Sequence, residues 1–276
     1  MNNKAGNLTF TRGTGDLANV VYLKLDRPDK LNGLTLDMLR ALVSQSKQIS
    51  GDRSIRAVII HGEGQNFSAG LDFGTVMKNP MDIAKAFAPR PWRGTNLFQE
   101  GPWCLRRLPV PVIAAVEGYC FGGGVQIAMA ADYRFATPDS QWSVLEAKWG
   151  LIPDMSGIQS LSQVLPIDVA KRLAMTGEQL DGTRAAELGL VSEVSADPLA
   201  AAEDLARLIV SRSPDSVSYA KRLFDETWNK GPRATFFKER LRQARLLGAK
   251  NTKIAQKAAA KAKGVGEAVK YNKRGV

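Results

Sequence analysis

Two glycine-bearing turns, each placed after an apolar, strand-like run, constrain this chain more than any other feature. The first, Phe67-Ser68-Ala69-Gly70-Leu71-Asp72, follows the β-branched run Arg56-Ala57-Val58-Ile59-Ile60-His61, which Gly62 and Gly64 close. The second, Cys120-Phe121-Gly122-Gly123-Gly124-Val125-Gln126, follows Val110 to Val116 and leads into the small-residue stretch Gln126 to Ala131. That pattern predicts strand, turn and helix, and it sets both turns at strand C-termini, where open α/β folds place ligands. Glycine lets backbone approach a ligand closely, and the first N–H groups of a helix have no partner within it. The two turns therefore supply a pair of donors suited to a developing oxyanion.

The rest of the chain extends this α/β reading. Val20 to Leu25 alternates as a strand, Thr35 to Ile49 spaces Leu36, Leu39, Leu42 and Val43 as a helix does, and Ala57 to Ile60 returns as a strand. Strands recurring between helices imply a largely parallel sheet with right-handed connections. The Pro and Gly residues from Pro80 to Pro102 predict a long irregular excursion that walls or covers a site. A helix is expected from Trp103 to Leu108, a strand at Tyr133 to Ala136, and helices from Val169 onward. Asp181-Gly182-Thr183 with Glu187 reads as a helix start, and Gly189 as its end.

At 276 residues, 44% hydrophobic and 24% charged, the chain suits one large α/β domain or a core with an appended helical segment. No apolar run approaches the roughly 20 residues of a membrane helix, and Met1 to Arg12 has neither a secretory apolar stretch nor a transit peptide's arginines. A soluble, cytoplasmic protein is expected. Cys104 and Cys120 sit in apolar surroundings without ligand spacing, so buried thiols are expected, with no disulfide framework and no metal. The formal charge of +11 is uneven: 250–276 holds eight Lys and Arg against the single Glu267. Such a balance suits an anionic ligand or non-specific nucleic-acid contact, though a solvated helix face explains most of those lysines. The segment 258–276, rich in Ala, Lys and Gly, is expected to be partly disordered.

At the two glycine turns, with an acid twenty positions past Gln126, the chain resembles the crotonase superfamily of enoyl-CoA hydratases and isomerases, from about Asn19 to about Ala249. The resemblance implies a spiral of ββα units over residues 1–195 and a helical C-terminal region, 196–257, that builds trimers, often paired into hexamers. It also implies an acyl-CoA thioester as substrate, with coenzyme A part of that substrate and no separate cofactor. By position, Leu71 and Gly123 donate the oxyanion-hole amides. Ala69, Gly70, Asp72 and Gly122 line the same site, and Lys30 in Arg27-Pro28-Asp29-Lys30 faces the adenosine and phosphate end, unless it is only an exposed turn lysine.

The acids decide the chemistry. Hydratases of this superfamily grip one water with two glutamates, at positions that read Gln126 and Glu146 here. An amide holds water but neither accepts nor releases a proton at neutral pH. Glu146, between Leu145 and Trp149, is expected to be buried with a raised pKa. Asp154 stands where dienoyl-CoA isomerases carry a second proton-carrying acid, but those isomerases have an Asp at the position of Gln126, so the resemblance to them is partial. As a helix N-cap Asp154 is equally accounted for. The preferred reading is double-bond migration in an enoyl- or dienoyl-CoA, as in fatty acid metabolism. Hydration by Glu146 with Gln126 positioning water is the alternative, and a catalytically weak acyl-CoA- or RNA-binding protein a further one. His61 lacks a Ser or Cys partner and reads as structural. The glycine triplet has neither dinucleotide spacing nor a P-loop Lys.

Overall fold

The computed structural model describes residues 3–261 and 269–276. Its strands are β1 (Asn3–Ala5), β2 (Leu8–Arg12), β3 (Val20–Leu25), β4 (Ala57–Gly62), β5 (Val112–Val116), β6 (Tyr119–Phe121), β7 (Tyr133–Ala136), β8 (Gln141–Ser143), β9 (Leu180–Asp181) and β10 (Glu193–Val194). A seven-stranded sheet has the order β1-β2-β3-β4-β5-β7-β10, antiparallel up to β3 and parallel from there. A second, three-stranded sheet runs β6-β8-β9.

Helices fill the connections: α1 (Leu36–Gly51), α2 (Phe73–Val76), α3 (Pro80–Phe87), α4 (Leu97–Arg106), α5 (Gly123–Ala130) and α6 (Gly157–Ser162). The C-terminal third adds α7 (Ile167–Thr176), α8 (Gly182–Glu187), α9 (Pro198–Val210), α10 (Pro214–Thr227), α11 (Pro232–Leu247) and α12 (Lys250–Lys261). One unit recurs. A main-sheet strand is followed by a short second-layer strand or bridge and then a helix: β4, the Ser68 bridge and α2, then β5, β6 and α5. This is the ββα spiral the resemblance implied.

Parallel strands are covered on both faces, which is why β4 reads as a continuous apolar run. Its Val58 and Ile60 enter the main core, whereas Ala57 and Ile59 point the other way, toward Ala202 and Ala206 of α9. Burying each of these isoleucines is worth about 1.5–3 kcal/mol, so the position of β4, and of the turn at its end, is firmly set. Capping sets the helix starts. Thr35 accepts from Met38 N at 3.2 Å, and Asp181 accepts from Arg184 N at 2.7 Å, as the sequence predicts.

Three expectations need correction. The excursion from Pro80 to Pro102 is mostly helical. Pro80 occupies the first turn of α3, where its missing N–H costs nothing, and Asn96 with Gln99 forms a capping box that starts α4 well before Trp103. Pro102 lies inside α4 beside Gly101, where an added Cβ would stand 2.7 Å from Leu39 Cδ2, so close packing on α1 compensates for one lost helical bond. The N-terminal residues add strands β1 and β2 at the sheet edge. Of the segment 258–276, residues 258–261 extend α12, 262–268 lie outside the described residues, and 269–276 dock. Arg274 N donates to Arg53 O at 3.0 Å, Gly275 N to Asp215 Oδ1 at 2.6 Å and Asn272 N to Asn251 Oδ1 at 2.9 Å. Composition predicted disorder because these contacts are polar and main-chain rather than apolar.

Candidate active site

The two glycine turns lie side by side. Phe121 N donates to Ser68 O at 2.9 Å and Ser68 N to Tyr119 O at 2.8 Å, a parallel bridge that joins β6 to the chain leaving β4. Gly70 has φ +92°, and an added Cβ would meet Phe121 O at 2.8 Å and Gly123 N at 3.4 Å, so both its conformation and its neighbours require glycine. Gly124 packs as closely on Ser68 O, at 2.7 Å from its would-be Cβ, which brings the start of α5 against the first turn. Among the described residues, the amides of Leu71 and Gly123 donate to no protein acceptor. Both residues line one cavity of about 510 Å³.

That cavity is lined mainly by apolar side chains. Phe73 and Val76 of α2, Ile83 and Phe87 of α3, and Phe98 of α4 wall it, so the stretch expected to form a wall does so as helices. Leu151, Ile152 and Met155 supply the facing side. Within the stretch from Pro80 to Pro102, Ile83 and Phe87 stand at the i, i+4 spacing of a helix, a signal outweighed by the surrounding Pro and Gly. Among the described lining residues the ionisable ones are Glu146 and Asp154.

Glu146 sits in a 3₁₀ turn, Leu145–Trp149, that follows β8 and is closed by Gly150 at φ +69°. Burial raises its pKa, the like charge of Asp154 adds to the rise, and hydrogen bonds from its own amide and from Gln126 oppose it. Its Oε1 accepts from Gln126 Nε2 at 2.6 Å, while Oε2 is buried with no hydrogen-bond partner. The pKa of Asp154 is also raised by burial. Such carboxyls hold or release a proton nearer neutrality than free ones do.

The remaining sequence candidates divide. Ala69, Gly70 and Gly122 line the cavity with Leu71 and Gly123. Gln126 does not: its Oε1 accepts from Gly157 N at 2.9 Å and its Nε2 donates to Glu146 Oε1. Asp72 is likewise absent from the lining. It caps α2 through Thr75 N at 2.9 Å and pairs with Arg27 Nη1 at 2.6 Å; the Thr75 hydroxyl, and then Arg27, hold its pKa down at about 2. The signal for that role was present as Asp72 three residues before Thr75. Lys30 is exposed on the 3₁₀ turn Pro28–Lys30, outside the cavity. His61 contacts Gly62 O at 3.0 Å and the ring of Tyr22, away from the cavity. Cys104 and Cys120 are buried free thiols.

Comparison with known proteins places this geometry. The family profile described as enoyl-CoA hydratase/isomerase matches residues 15–260. The mitochondrial Delta(3,5)-Delta(2,4)-dienoyl-CoA isomerase of Rattus norvegicus is 33% identical over 214 residues, covering 74% of this chain and 64% of its own length, so the chain spans less than two thirds of that relative. Carnitinyl-CoA dehydratase of Salmonella typhi is 31% identical over 212 residues, covering 75% of this chain and 77% of its own. The crystal structure of enoyl-CoA hydratase from Bacillus anthracis superposes with a TM-score of 0.85 at 25% identity, covering 96% of this chain and all of that one. The fold, the paired glycine turns and the match over most of the sequence agree, and this chain belongs to the enoyl-CoA hydratase/isomerase family.

Proposed function

We propose that this protein is an acyl-CoA enzyme that shifts a double bond in an enoyl- or dienoyl-CoA. The observation that carries the reading is that two unbonded amides, Leu71 and Gly123, and a half-buried Glu146 line one mainly apolar cavity. With the thioester oxygen between the amides and the acyl chain along Phe73, Phe87 and Phe98, Glu146 takes a proton from the α carbon. The electron pair moves into a dienolate whose oxygen the amides stabilise, and the proton returns at the γ carbon. Each such amide is worth on the order of 10²–10³ in rate. Asp154 assists as a second proton carrier for a dienoyl substrate.

Hydration is the second reading, favoured by the dehydratase and hydratase names of the relatives. Against it stands Gln126, whose amide is engaged by Glu146 and Gly157. The test is to supply 3-enoyl-, 3,5-dienoyl- and trans-2-enoyl-CoA separately. Isomerisation should exceed hydration, and the reverse order would reject the preference. Lys30 is proposed to meet the coenzyme phosphates. Phe224, Trp228, Phe236 and Phe237, exposed on and beside α10 and α11, support packing of the helical third against further copies as a trimer or hexamer, which sedimentation would measure.

A further inference from the structure

Gln126 is 1% exposed on α5, and it ties together three segments, two of which carry lining residues of the cavity. Its own helix carries Gly123, its Oε1 accepts from Gly157 N at the start of α6, and its Nε2 donates to Glu146 Oε1. The orientation of the amide is determined chemically. A backbone N–H only donates, so the atom facing Gly157 is the carbonyl oxygen and the atom facing Glu146 is the NH2. Glu146 Oε1 is therefore an acceptor in either protonation state, which favours Oε2 as the oxygen that takes the proton. Oε2 is the atom left without a partner.

The geometry points to Gln126 as a positioning residue that pins Glu146 by one oxygen, leaving Oε2 alone to exchange protons with the substrate. This rests on the proposed isomerisation. In that reaction the Cα–H bond breaks, its electron pair enters the dienolate and the proton bonds to Oε2; the same O–H then breaks as the proton bonds to Cγ, which regenerates the carboxylate and releases the double-bond isomer. A single oxygen serving both carbons keeps the transfer on one face. Gly157 belongs to the device, because an added Cβ there would stand 2.5 Å from Gln126 Oε1 and 2.8 Å from its Cδ. Ser156, at φ +65°, turns the chain so that the Gly157 amide meets Gln126. The charged group bearing on Glu146 from the facing segment is Asp154, and Gln126 itself is neutral.

The test uses the full chain labelled at glutamate Cδ, with the Glu146 carboxyl signal identified by its loss in Glu146→Gln. Gln126→Met removes the donor, so Glu146 should titrate about one pH unit higher, and the acidic limb of kcat should move with it while KM holds. Gly157→Ala, which displaces the amide without removing it, should reproduce the shift. Gln126→Glu, nearly isosteric, places two carboxyls at a 2.6 Å contact that must share one proton, and the pair should titrate in two separated steps. A folded Gln126→Met or Gly157→Ala protein in which Glu146 titrates as in the wild type overturns the inference, as does a Gln126→Glu protein with a single unshifted step. Should the wild type turn over no thioester, the functional reading fails, whereas the titrations still decide whether Gln126 pins the carboxyl.

Discussion

Replacing Asp72 by Ala should loosen the wall that follows the Leu71 amide, and the loss is measurable as stability. Asp72 Oδ1 caps α2 through Thr75 N at 2.9 Å, and a cap of this kind is worth about 1 kcal/mol. Oδ2 meets Thr75 Oγ1 at 2.7 Å and Arg27 Nη1 at 2.6 Å. Holding the carboxyl at about 2 against an ordinary 3.8 corresponds, at about 1.4 kcal/mol per unit, to roughly 2.5 kcal/mol. The Asp72 side chain is 22% exposed and that of Arg27 16%, and solvent screening reduces this to about 1 kcal/mol. The sum, about 2 kcal/mol, lowers Tm by about 4 °C in a chain of this size. Because the folded pKa lies below the unfolded one, the charge-linked half is complete above about pH 4 and disappears as the pH falls through about 2. Urea unfolding of wild type and Asp72→Ala should therefore differ by the full amount at pH 7 and pH 5, with the gap narrowing to about half as the pH falls through about 2. Asp72→Asn keeps the cap acceptor and should lose about half. A double-mutant cycle with Arg27→Ala that gives no coupling, or a gap insensitive to acid, would refute the argument.

Glu146→Gln should leave folding unchanged and reduce turnover by about 10³ or more, since an amide of the same shape cannot take the proton; steady-state rates on a 3-enoyl-CoA decide it. In the wild type the raised pKa of Glu146 means that the base is lost as pH falls through a value above the ordinary 4.5, so the acidic limb of kcat/KM should lie above that of a free glutamate. Trp149→Ala, at a residue 65% exposed yet lining the cavity beside Phe73, should raise KM for long acyl chains about fivefold with a change in Tm under about 2 °C. Truncation after residue 268 removes the Gly275 and Asn272 donors from buried Asp215 and Asn251; Tm should fall by about 2–6 °C while kcat/KM stays unchanged.

The parts of the fold legible in the sequence were those set by local chemistry. Val58, Ile59 and Ile60 announced a strand buried on both faces, Thr35 and Asp181 announced helix starts, and the glycines announced where backbone must come close. Glu146 was legible from its place in a motif and its apolar neighbours. The rest depended on partners distant in the chain. Pro80 and Pro102 are loop signals in isolation, and they became helical because Asn79 and Asn96 cap α3 and α4 and because Gly101 lets Leu39 pack. The position of Gln126 suggested contact with a reacting water. Its actual partner, Gly157, lies 31 residues away and is fixed by the tertiary approach of α6 to α5.

That contrast bears on how a family site changes its chemistry. A glutamate at position 126 would set a second carboxyl against Glu146, and the pair would share one proton or move apart to admit a water. The amide found there bonds Glu146 directly at 2.6 Å, and the Gly157 N–H fixes which way it faces. An amide at this position holds Glu146 by Oε1, and Oε2 is the carboxyl oxygen that no hydrogen bond engages. One free oxygen is sufficient to carry a proton between two carbons, but delivering a water requires a second group to hold it. Turnover of trans-2-enoyl-CoA by hydration at a rate matching isomerisation would mean that another group, with Asp154 the nearest candidate in the cavity, fills that role.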